Sequence, residues 1–365
     1  MARIKIVLAD EDEVYQEHMA RYFMSKSDQC EIFTFSSQKS LLKYLSVSEN
    51  TDVLLLDPKM ICDELQTFNI SVKILLSDTD EKMEGYESVK KYQKTEEILK
   101  KVLLKYAEIT GRLDAVKGKR KTRVIGFYSP VGGSGKTTIA LNTAAACAGA
   151  GMHVFYLNLE KSDSTSSILG KTPGTMSDVF LSMKTKGTDL GVRILAARGE
   201  ESHTKIHYIS APDSISEYSE LTMQEFDTLI KAIINLNEYD VLVLDFSSEF
   251  NQEKIYLMEN CDLVFAPIVS DEFSINRIKI LLHENMLHQE YSSFIKKLRL
   301  VLNKADISGA SPALTASGIL EQCPLIAVIT MAPTFMNQQN LLGSAEIVRQ
   351  VFEPLVNCIQ ETANG

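Results

Sequence analysis

The segment SPVGGSGKTT, residues 129–138, constrains this chain more than any other. It follows an apolar run at 123–128 and opens into ALNTAAACAGAG, a helix-like stretch of small residues. Strand, glycine loop and helix in that order is the context a phosphate-binding loop needs. Glycines let the backbone curl until successive N–H groups face phosphate oxygens at a helix N-terminus. Gly132, Gly133, Ser134, Gly135, Lys136, Thr137 and Thr138 are therefore candidate nucleotide-binding residues. Lys136 would reach the β and γ phosphates, and Thr137 would offer its hydroxyl to Mg2+.

Downstream, 152–159 (MHVFYLNL) reads as a second strand and YDVLVLDF as a third that ends in Asp245, a second candidate ligand for Mg2+ through water. DLVFAPIVSDEFSINRIKILL reads as strand, loop and helix, and LRLVLNKAD as the next strand. Strands alternating with helices imply an α/β fold with a mostly parallel sheet.

The double glycine with GKTT resembles the deviant Walker A motif, KGGxGKT, of the MinD and ParA superfamily of ATPases. In that family a second lysine crosses a dimer interface to the partner's phosphates; here its place holds Val131, and Pro130 stands where the general pattern has glycine. The resemblance implies bound ATP with Mg2+, a homodimer, and a hydrolysis machinery weakened by the missing charge. The family's DxD after the second strand is Asn158 and Glu160 here. Glu160, at the place of the water-orienting aspartate, keeps the carboxylate on a longer arm, so Glu160 and Asp245 are the candidate catalytic residues. The proline and glycine switch expected after Asp245 is replaced by FSSEF. NKAD, at 303–306, admits two readings: the guanine-gripping NKxD of GTPases, or the family's asparagine and basic residue on adenine. The lack of a DxxG switch after Asp245 favours adenine for Asn303, with Pro333 of the loop MAPTF flanking the base.

The first hundred residues read as another α/β array, with strands at 4–9, 31–35, 52–56 and 72–76 and helices after the first two. Asp10, Glu11, Asp57 and Ser77 fall at strand carboxyl ends, where such sheets place their functional groups. VLADEDE and LLLDPKM resemble the receiver domain of two-component signalling. That resemblance makes Asp57 a candidate phosphoacceptor with Asp10, Glu11, Ser77 and Lys90 around it. Two connections are short for the fold: 57–72 is tight for loop, helix and loop, and only about seven residues separate Ser77 from the next strand, where a crossover normally needs ten to twelve. The fourth helix is expected to be missing or vestigial.

Length supports two units, since 365 residues exceed what one core normally holds. We expect an atypical receiver-like (flavodoxin-like) domain at 1–106, a basic linker at 107–122 and a P-loop NTPase domain at 123–365, each of three layers. The closing helix, 343–359, is expected to be interrupted by Pro354 and too acidic for a basic membrane anchor. A net charge of −10 argues against a nucleic-acid-binding surface, though a ParA-like DNA-partitioning role stays as an alternative. Six scattered cysteines without a CxxC pair read as reduced thiols, and no apolar run is long enough to span a bilayer. The chain is expected in the cytoplasm. The spacings of His203 with His207 and of His283 with His288 do not suit metal ligands, so no metal beyond Mg2+ is expected.

A receiver-like half fused before a MinD-type half resembles the TadZ and CpaE proteins of Tad (Flp) pilus assembly. Membership would imply a nucleotide-dependent dimer at a cellular site such as a pole, bound to the membrane at most peripherally. Its partner would be the pilus secretion machinery, including the assembly ATPase. Control of the ATPase half by phosphorylation of Asp57 is the other reading.

Overall fold

Ile4, Ile6 and Leu8 lie on one face of the first strand, and Val7 and Ala9 on the other. This is the period-2 pattern of a sheet covered on both sides. In the computed structural model this strand, β1 (Ile4–Ala9), leads to α1 (Glu13–Lys26), β2 (Cys30–Phe35), α2 (Gln38–Val47) and β3 (Thr51–Leu56). Two 3-10 turns (Pro58–Met60 and Asp63–Gln66), β4 (Ile70–Ser77), β5 (Glu87–Lys90) and α3 (Thr95–Thr110) follow. The structure describes residues 3–26, 30–48, 50–78, 83–111, 120–160, 165–185, 189–287, 292–306, 312–330 and 342–362.

The five strands are parallel in the order β2-β1-β3-β4-β5, the flavodoxin-like winding. Met19, Phe23, Ile98, Val102 and Tyr106 of α1 and α3 cover one face. Leu41 and Leu45 of α2, with Met60 and Leu65 of the 3-10 turns, cover the other. The short connections have the effect expected of them. Single turns replace a helix between β3 and β4, and among the described residues no helix joins β4 to β5.

The second array begins with β6 (Arg123–Phe127), α4 (Lys136–Gly149), β7 (Val154–Leu159), α5 (Thr165–Leu169), α6 (Met176–Lys184), α7 (Leu190–Ala197), β8 (Gly199–Glu200) and β9 (His207–Tyr208). It continues through α8 (Ile215–Glu220), α9 (Met223–Asn235), β10 (Val241–Phe246), α10 (Gln252–Glu259), β11 (Leu263–Ile268), α11 (Glu272–Leu287) and α12 (Ser292–Lys297). Last come β12 (Leu298–Ala305), α13 (Pro312–Thr315), α14 (Ile319–Gln322), β13 (Leu325–Thr330) and α15 (Ala345–Glu361). Its sheet runs β13-β12-β11-β6-β10-β7-β9-β8 and is parallel except between β8 and β9. The chain divides into two compact units, Met1–Lys117 with Thr185–Leu195, and Gly118–Lys184 with Ala196–Gly365. Most of the basic stretch, residues 112–119, lies outside the described residues.

Small residues on α4, among them Ala144 and Cys147, let it pack closely with Phe352, Leu355 and Ile359 of α15 over one face of the second sheet. The expected interruption of the last helix does not occur: α15 passes through Pro354. Pro354 faces solvent, so the hydrogen bond it forgoes is one water can replace. His207 is an ordinary buried histidine, with Nδ1 3.0 Å from the Tyr239 hydroxyl and Nε2 3.2 Å from Glu200.

β6 is the central strand beneath the phosphate loop, and Gly126 within it pairs with Leu244 and Val264. A Cβ there would lie 2.8 Å from the Phe246 ring and 3.0 Å from Cys261 Sγ. Gly126→Ala is therefore expected to destabilise the protein by about 1–3 kcal/mol through overpacking. Urea unfolding checks this, and an unchanged midpoint would show that the core relaxes freely.

Candidate functional site

β6 delivers the buried Tyr128 and Ser129 to the loop, which closes where α4 begins at Lys136. Gly133 and Gly135 have φ of 74° and 86°, left-handed values that favour glycine. Gly135 is excluded from change twice over, because a Cβ there would collide with the Asn303 side-chain amide. Gly135 is also the N-cap of α4 and no side chain caps the helix, so its first amides remain to bind an anion. Space is open where a Cβ would stand on Gly132 and Gly133.

Lys136 is the electrostatic centre. Its Nζ lies 2.8 Å from Asp245 Oδ1 and 2.5 Å from Glu160 Oε1. Asp245 is fully buried at the end of β10, beside Asn158 of β7, and its Oδ2 accepts from the Tyr156 hydroxyl at 2.8 Å. Burial raises the Asp245 carboxyl above its ordinary value, with Lys136 and the Thr137 hydroxyl drawing it back. Burial alone would lower the Lys136 ammonium, but Asp245 and Glu160 together hold it above its usual value. The Glu160 N–H donates to Asn158 Oδ1 at 2.8 Å, which fixes the turn that aims the carboxylate.

The loop is braced from outside. Asn303 Nδ2 donates to Ser134 O and Lys304 Nζ to Gly133 O, both at 2.8 Å. Arg277 of α11 donates to Pro130 O at 3.1 Å. Val131 is buried, and its N–H donates to Ser129 Oγ. Pro333 lies outside the described residues. The sequence reading missed Tyr156 and Arg277. Tyr156 stands two residues before Asn158 on β7, where period-2 alternation could have placed it on the side of Asp245; nothing local marks Arg277, which sheet order alone brings to the loop.

These residues suit a nucleotide polyphosphate with Mg2+. The uncapped helix start, the open glycines and Lys136 supply donors, while the buried Ser134 hydroxyl has no hydrogen-bond partner among the described residues. A hydroxyl at Thr137 and a carboxylate at Asp245 form the hard oxygen set that Mg2+ prefers. Thr138 lies in the first turn of α4, where its carbonyl accepts from Asn142 Nδ2.

The receiver-like residues converge as well, with one correction. Lys91, not Lys90, pairs with both carboxylates, its Nζ lying 2.6 Å from Asp10 Oδ2 and 2.6 Å from Asp57 Oδ2. Lys90 is the last residue of β5 and its side chain is exposed. Register explains the difference: Lys90 pairs across from Ser77, and the next residue turns inward as its N–H donates to Ser77 O. Asp10 Oδ1 accepts from Asp12 N and Asp57 Oδ1 from Lys59 N, each at 3.0 Å. Tyr15 donates to Lys91 O at 2.8 Å, and the Tyr15 and Tyr92 rings lie 5.2 and 5.8 Å from the ammonium. Glu11 is exposed.

Residues 122–299 match a family model described as an AAA domain. No curated protein matches the chain. Among solved structures, a ParA family ATPase from Chlorobium tepidum is similar at 21% identity and TM-score 0.52, over 67% of this chain and 99% of that one. MinD in the MinC:MinD cell division complex of Aquifex aeolicus is similar at 14% identity and TM-score 0.52, over 66% and 96%. A plasmid partition protein from Borrelia burgdorferi bound to AMPPNP follows at 12% identity and TM-score 0.51, over 67% and 100%. The chain thus carries a P-loop domain with the ParA and MinD fold, beside a parallel sheet wound as in flavodoxin.

Asp10, Asp57 and Lys91 are all buried. Lys91→Met, which leaves two carboxylates without their cation, is expected to cost about 3–5 kcal/mol of stability in urea unfolding. A loss under about 1 kcal/mol would show that water serves these carboxylates equally well.

Proposed function

We propose that the protein is an ATP-binding switch. Mg2+ and ATP held by residues 132–138 and Asp245 favour a homodimer, and the dimer positions the secretion machinery of Tad pilus assembly, including its assembly ATPase, at a site in the cell. Hydrolysis is slow or absent, and adenine lies beside Asn303. The observation that carries this reading is Val131, uncharged and buried in the loop, at the position of the second lysine. Without that charge the phosphate chemistry loses stabilisation, while the groups that bind the nucleotide are all present. Support comes from the AMPPNP-bound plasmid partition protein and the MinC:MinD complex, both of the same fold. Among the described residues no helix is long and apolar enough to cross a membrane.

Solution mass should rise to that of a dimer with Mg2+ and ATP, but not with ADP. Phosphate release in the same samples should stay on the order of 10⁻³ per second or below, the range of P-loop enzymes lacking their supplementary cation. Lys136→Ala should weaken ATP binding by about 100-fold or more, through loss of charge-assisted bonds to two phosphates. Unchanged affinity in that variant would overturn the reading.

The receiver-like unit serves as a docking scaffold. With both oxygens of Asp57 already accepting hydrogen bonds, acetyl phosphate should leave the intact mass unchanged. A phosphorylated species would instead favour control through Asp57.

A further inference from the structure

The charge around the phosphate loop does not balance. Lys136 contributes one positive charge against the two carboxylates that contact it, Asp245 and Glu160. A nucleoside triphosphate adds several negative charges, of which one Mg2+ offsets two. A further cation is needed at the loop, and Val131 does not provide one.

Arg277 stands at the right place. Sheet order puts β11 next to β6, so the helix after β11 starts beside the loop after β6. Asp271 caps that helix by accepting from the Ser274 N–H and hydroxyl, each at 2.8 Å. One turn on, the Arg277 guanidinium lies 4.8 Å from the centre of the Phe273 ring and donates to the carbonyl of Pro130, the neighbour of Val131. That is its one hydrogen bond among the described residues, and none of the described carboxylates forms an ion pair with it. A guanidinium has five donors in a planar fork, the geometry that suits phosphate oxygens. Two buried hydroxyls without partners among the described residues, Tyr128 at the strand end and Ser134 within the loop, mark the same neighbourhood as polar and unsatisfied.

We propose that Arg277 is a phosphate-contacting cation that engages the terminal phosphate of bound ATP, supplying binding charge near position 131 without restoring the transition-state charge that a lysine there would give. The inference rests on ATP being the ligand of this loop. Lys304, the other cation on a loop carbonyl, holds Gly133 O, whereas Arg277 holds the carbonyl next to Val131, the position that lacks the charge. Because Arg277 contacts the loop from a different helix, its side chain can swing from the Pro130 carbonyl to the phosphate without changing the backbone of the loop. Its contact is selective for the triphosphate, since a diphosphate ends one group short.

The test uses the full chain and fluorescent ATP and ADP analogues with Mg2+, comparing wild type with Arg277→Met and Arg277→Lys. Methionine keeps a stem against Phe273 and removes the charge; lysine keeps the charge and loses the fork. Arg277→Met should weaken ATP binding about tenfold and ADP binding less than twofold, with Arg277→Lys between it and wild type. Adding Val131→Lys to Arg277→Met should restore part of the lost ATP preference. Equal weakening of both nucleotides, or no change in either, would overturn the proposal by making Arg277 a brace for the Pro130 carbonyl and nothing more. Wild type that binds neither nucleotide would instead remove the reading on which the proposal stands. Mixing Arg277→Met with Lys136→Ala protein separates the two sources of the contact. If the mixture binds ATP with the affinity of wild type, Arg277 reaches the phosphate of a second copy; if it stays at the level of Arg277→Met, Arg277 serves its own loop.

Discussion

A buried lysine shared between two carboxylates organises the P-loop half of this protein. Lys136 neutralises Asp245, which is otherwise stranded in the middle of an apolar sheet, and anchors Glu160 at the end of the next strand. Single buried charges are expensive, so the helix carrying Lys136 and the two strands carrying the carboxylates stabilise one another only in this register. Tyr156 and Thr137 complete the shell around Asp245. The lysine can pair with phosphate as readily as with carboxylate, so a phosphate ligand at this loop would compete with the ion pairs that hold Asp245 and Glu160.

The receiver-like half solves a similar problem with the same ratio of one lysine to two carboxylates. Its Asp10, Asp57 and Lys91 also form a buried triad, but aromatic rings of Tyr15 and Tyr92 close over the ammonium. Loss of regular helix after β3 thins one flank of the sheet without touching this triad, because each of its members is fixed by a strand end. The fold of the unit persists where the connections have been pared down.

Much of this was legible before any coordinates. Alternating strands and helices gave the two parallel arrays, and the glycine loop with Asp245 located the site, since strand–loop–helix order and a carboxylate at a strand end are local signals. Three features were not local. Lys90 and Lys91 are adjacent, and only the register of β5 against β4 decides which faces the carboxylates. Pro354 reads as a break in one dimension, yet its position on the solvent side of α15 makes it tolerable. Arg277 and Tyr156 belong to the site through strand order and side-chain reach, which no motif encodes.

The hold of Asn303 on the carbonyl of Ser134 joins the end of β12 to a loop 169 positions earlier in the chain. A glycine-rich loop free in solution samples many shapes, and a ligand that needed one of them would lose affinity in selecting it. Here much of that selection happens when the domain folds, because the asparagine occupies the space that any side chain at position 135 would need. A phosphate ligand of this loop would therefore meet a small configurational entropy penalty, and the strand that bears Asn303 sets its size.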